Sequence, residues 1–189
     1  MMLRNQSLVA TWLERPGTRV VANCAVTAFS VLICLLVSPT RLPGMELAGI
    51  GPNWVLIWVV AWSVKRSMFQ GAIAGLVLGL IQDGMTADTP THVFSLMTVG
   101  FLTARIRKQR YLQEDFISIA LITFAMAVIA ETVTAVQYSF ENSRTLVEIW
   151  TYHQLIALAS AVLSSLWAPI VYFPLNRWWQ RINTLDQQS

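Results

Sequence analysis

Residues 20–38 read V-V-A-N-C-A-V-T-A-F-S-V-L-I-C-L-L-V-S, nineteen positions without a charge. As a helix this stretch rises about 28 Å, close to the roughly 30 Å hydrocarbon core of a bilayer. Five further apolar runs follow it, at Pro52–Val64, Phe69–Met85, Pro90–Ala104, Phe116–Tyr138 and Trp150–Phe173. The whole chain has 189 residues, of which 55% are hydrophobic and only 12% charged. Average soluble domains carry about 25% charged residues. A chain with half that share cannot cover its surface in water, and disorder demands the opposite composition. The reading is therefore all-α: a six-helix integral membrane bundle. Residues 1–19 form an N-terminal tail, 20–176 the six-span domain and 177–189 a C-terminal tail. Pro169 and Pro174 lie near the end of the last run and predict a kink or a stop there.

The charge pattern orients the bundle. With six crossings and both termini cytoplasmic, eleven of the thirteen Lys and Arg residues fall inside, leaving Arg41 and Arg144 outside. That is the asymmetry expected of cytoplasmic segments. The second run is short, and whether it crosses fully is open. The densest basic stretch, R-I-R-K-Q-R, holds Arg105, Arg107, Lys108 and Arg110. It suits orientation and contact with anionic lipid, or docking of a cytoplasmic protein. The net charge of +3 is spread in short clusters, so nucleic acid is not an expected partner.

Motifs for catalysis are missing. There is no G-x-S-x-G, no P-loop and no G-x-G-x-x-G. Cys24 and Cys34 lie ten residues apart in one apolar run, too far along a helix to bridge. No histidine or cysteine pair has metal-ligand spacing, so no metal or cofactor is expected. What remains is packing and isolated polarity. Gly71, Gly75 and Gly79 recur every four residues, which places a bare backbone stripe on one helix face for close helix packing. The neighbour is either internal or a partner helix. Asp83 continues that series at the helix end, where a carboxylate faces the unfavourable pole of its own helix. It is expected to organise the following turn, or to serve as a substrate or proton site. Glu131 lies inside the fifth run, roughly 22 Å above Phe116 by helical rise. An ionisable group there demands a partner or a function; Thr27, Thr98, Thr134, His92 and His153 are the candidates for pairing. Trp54, Trp58 and Trp62 form a stripe expected to be packing or lipid-facing bulk.

Three stretches carry a family resemblance: G-P-N-W-V-L-I-W-V-V-A-W at 51–62, G-A-I-A-G-L-V-L-G-L-I-Q-D-G at 71–84 and T-H-V-F-S-L-M-T-V-G-F-L at 91–102. This pattern, with Gly71, Gly75, Gly79, Asp83 and Gly100 at its fixed points, resembles the rod shape-determining MreD family. Pro169 and Pro174 followed by Arg177 and Arg181 are similar to that family's closing pattern. The resemblance implies a non-enzymatic protein of the bacterial inner membrane, without cofactor. It would bind MreC beside MreB, RodA and the penicillin-binding partner of RodA, and help organise lateral peptidoglycan synthesis. It also implies a fold resembling the S component of energy-coupling-factor transporters. From that kinship comes the alternative expectation, a substrate-binding component for vitamin or metal uptake, with Asp83, His92, Glu131 and His153 lining an outer polar cavity.

Overall fold

A computed structural model describes residues 16–40, 44–47, 49–86, 91–107, 115–140 and 146–187. The tail at 1–15 and the basic residues Lys108 and Arg110 lie outside the described residues. Among the described residues six helices follow one another: α1 (Pro16–Val37), α2 (Trp54–Ser63), α3 (Met68–Thr86), α4 (Val93–Arg107), α5 (Phe116–Phe140) and α6 (Leu146–Gln187). Among the described residues there is no strand, only a bridge between Leu47 and Ile50, where Gly49 takes a left-handed φ of 79°.

Among the described residues, four helices hold segments long and apolar enough to cross a membrane, at Gly17–Val37, Met68–Thr86, Phe116–Phe140 and Gln154–Thr184. α2 and α4 are shorter, at 10 and 15 residues. Ten residues rise only about 15 Å, half of a hydrocarbon core. α2 is instead the axis of the bundle and touches every other helix. Its residues Val55 to Ala61 are all buried, as expected of a helix apolar on every side. The tryptophan stripe follows from this. Trp58 is buried and stacks on Trp62, and the half-buried Trp54 meets Trp167 of α6.

Local chemistry sets the ends of these helices. Asn53 caps α2, its Oδ1 accepting from Leu56 N at 3.0 Å, while its own N–H donates to the buried Ser164 Oγ of α6. The Ser67–Gln70 pair forms a reciprocal capping box at α3, satisfying two N–H groups that the first turn leaves orphaned. Inside the helices, Thr98, Thr123, Thr132 and Thr134 donate to carbonyls four residues back. That habit hides a hydroxyl where no water is available.

α3 and α4 form one antiparallel hairpin, α5 and α6 another, and α4 packs on α5. α1 lies against α2 and α6 and buries only Arg19 and Cys34 among its described side chains. Its Val20, Phe29, Leu32 and Leu36 are exposed, as are Phe69, Val77 and Leu80 of α3 and Ile117 and Leu121 of α5. Contiguous apolar exposure on this scale suits lipid.

One expectation needs correction. Neither proline stops the last helix, which runs unbroken to Gln187 through both. Pro169 is fully buried. Beyond Pro174, Leu175, Asn176, Trp179 and Ile182 are buried as well, so packing holds the helix where the missing N–H groups would otherwise end it.

Candidate functional site

The partner of the glycine stripe lies within the chain. α3 presents Gly71, Gly75 and Gly79 to the backbone of α4. A methyl carbon on Gly75 would fall on the Leu96 carbonyl and lie 2.7 Å from Met97 N. One on Gly79 would sit 2.6 Å from Val93 Cα, and one on Gly71 2.9 Å from the Gly100 carbonyl carbon. Gly100 returns the contact, with Gly71 C at 2.7 Å from its own would-be Cβ. The two backbones therefore touch along three turns, and this face is closed to any other helix.

The α3–α4 turn explains Asp83. Its Oδ1 accepts from the backbone N–H of His92 at 2.8 Å and from the ring Nδ1 of His92 at 2.7 Å. Thr91 Oγ1 accepts from Val93 N. Two donors at the start of α4 are thus satisfied. Asp83 sits at the wrong pole of α3 but over the N-terminus of α4, where an anion is favoured. Replacing Asp83 with Ala is expected to cost about 2 kcal/mol, since it orphans two partly buried donors. The check is a lowered melting temperature in detergent; Asp83→Asn keeps the oxygen and retains most of the stability.

Glu131 lies on α5, half-buried. Of its proposed pairing partners, Thr98 and Thr134 donate to their own helices, and the side chain of His153 lies outside the described residues. His92 is in electrostatic reach, but among the described residues no hydrogen bond reaches the Glu131 carboxylate. It opens on a cavity of about 230 Å³ between α5 and α6, lined also by Val128, Thr132, Ala135, Gln154, Ala157 and Leu158. Gln154 is the residue that sequence reasoning missed here; only the α5–α6 pairing brings it to Glu131.

A second cavity, of about 330 Å³, lies under the loop before α2, between Ser38, Thr40, Glu46, Gly51 and Trp54. The basic stretch is described only in part: Arg105 is exposed at the C-terminal end of α4, the pole that favours a cation. The side chain of Arg107 is outside the described residues. Among the described residues, no three His, Cys, Asp or Glu side chains converge as metal ligands would.

A family model described as rod shape-determining protein MreD matches residues 18–180. The chain belongs to the MreD family. The match runs from α1 to Trp179 and Gln180 of α6, and so takes in the buried α2, the glycine hairpin and the α5–α6 cavity. Membership assigns the chain to rod-shape determination, and the four long apolar helices make it a membrane protein. No curated protein and no solved structure matches the chain.

Proposed function

We propose that this MreD-family protein is a non-enzymatic, multi-pass scaffold of the bacterial inner membrane. It has both termini in the cytoplasm and an S-component-like fold. It binds the transmembrane helix of MreC and helps organise lateral peptidoglycan synthesis with MreB, RodA and the penicillin-binding partner of RodA.

One observation carries the binding surface: Glu131 has no hydrogen-bond partner among the described residues and faces the α5–α6 groove. A carboxylate within a span costs a few kcal/mol or more unless it is paired. Ala135, Ala157 and Thr132 keep the groove walls low, so a second helix can approach closely and bring a donor to Glu131. The glycine face, already filled by α4, offers no such opening.

Co-purification with tagged MreC tests the reading. Glu131→Ala is expected to lower recovery of the complex about tenfold, the effect of a lost intramembrane hydrogen bond near the upper end of measured values. The amount of protein in the membrane should not fall, because removing a lone carboxylate eases insertion. Complex recovery equal to wild type would sink the assignment of this groove.

The polar cavity under the loop before α2 favours a second reading, solute binding. A saturable thermal shift with a vitamin or metal ion in detergent would decide for it.

A further inference from the structure

A third cavity lies elsewhere, at the basic end of α6. It measures about 560 Å³ and is lined by Phe173, Pro174, Arg177, Trp178 and Arg181. We propose that it is a binding site for the phosphate headgroup of an anionic phospholipid.

Pro174, Arg177, Trp178 and Arg181 stand at intervals of three and four, so they share one face of α6. The two arginines are one turn apart, about 6 Å along the axis. Both are exposed, and neither forms an ion pair among the described residues. Each guanidinium presents a planar fork of donors that matches phosphate oxygens in pairs. Between them stands Trp178, half-buried, whose indole N–H has no acceptor among the described residues. Its ring lies in the cavity wall beside the two guanidinium groups.

The apolar wall distinguishes a lipid from a free anion. Phe173 stacks on Phe116 of α5, with ring centres 6.4 Å apart and planes 13° from parallel. That pair continues the cavity wall toward the apolar body of the bundle. The site thus offers charge at one end and hydrocarbon at the other. Like Arg66 after α2 and Arg105 in the last turn of α4, these arginines lie toward a helix C-terminus, and in the orientation proposed above that is where an inner-leaflet headgroup would lie. Orientation of the chain accounts for having arginines at this end. It does not account for two of them, one turn apart, flanking a cavity walled by Phe173, Pro174 and Trp178.

The test uses the full-length protein in uncharged detergent, titrated with short-chain phosphatidylglycerol, short-chain phosphatidylcholine and inorganic phosphate. Phosphatidylglycerol is expected to raise the melting temperature saturably, and the other two are not. Arg177→Gln with Arg181→Gln should weaken the apparent affinity about tenfold, as expected when charge-assisted bonds are lost. Lys65→Gln with Arg66→Gln removes the same charge beyond the end of α2 and should change it less than about threefold. Three outcomes overturn the proposal: no saturable shift in the wild type, equal losses in both charge-matched pairs, or a shift from inorganic phosphate as large as from the lipid.

Discussion

Gly75→Leu is expected to remove most of the folded protein from the membrane. The isobutyl group cannot fit, since even its first carbon would overlap the Leu96 carbonyl and crowd Met97 N at 2.7 Å. Both neighbours are backbone, so no rotamer change relieves the clash. α3 and α4 would have to part along their whole contact. In lipid that contact is the main term holding two such helices together, because the surrounding chains are as apolar as the side chains. Overpacking a tight core costs up to about 3 kcal/mol when the backbone can shift, and here α4 is also fixed by α2 and α5. Gly75→Ala should already lower stability markedly. Gly84→Leu is the control: it lies in the same helix, and nothing is found within 4 Å of its would-be Cβ. Fluorescence-detected size-exclusion of a tagged chain reads both. A monodisperse Gly75→Leu protein at wild-type level would mean that the hairpin does not pack as described.

The same hairpin shows what the residues disclose and what they withhold. Four-residue glycine spacing announces a close contact but not its owner; Gly100, alone on its helix, gives no periodic signal of being the counterpart. Asp83 reads as misplaced on α3 because the turn that lays it over α4 is a tertiary fact. The burial of α2 was only half legible: W-V-L-I-W-V-V-A-W has no polar face, but it reads equally well as a lipid-facing crossing, and only its contacts with every other helix put it at the centre. The last helix was harder, because local rules for proline are overridden when residues beyond it, here Trp179 and Ile182, have a core to enter. Glu131 announces itself as an anomaly within a span, yet its groove depends on which helix lies beside α5. The arginine cavity could not be seen at all: i, i+3, i+4 spacing of Pro174, Arg177 and Trp178 is common, and only the adjoining Phe116–Phe173 pair gives it an apolar wall.

Trp58→Ala is expected to detach α1 from the bundle. The indole is 4% exposed, lies 6.0 Å from the Trp62 ring centre, and donates from Nε1 to Ser30 Oγ of α1 at 2.8 Å. Ser30 in turn donates to the Thr27 carbonyl, so the serine is oriented to accept. α1 buries little else, and no hydrophobic force favours α1 over lipid. Truncating a buried tryptophan to alanine costs about 3–5 kcal/mol. Trp58→Phe keeps most of the volume and loses only the bond to Ser30, about 1 kcal/mol in a membrane setting. Cys34 supplies a local reporter, being 7% exposed and part of the core cluster. In a Cys24→Ser background, which removes the exposed thiol, Trp58→Ala should make Cys34 react rapidly with a small maleimide while Trp58→Phe leaves it slow. Equal labelling rates in the two variants, with the melting temperature lowered in both, would show that α1 is held by contacts other than this one.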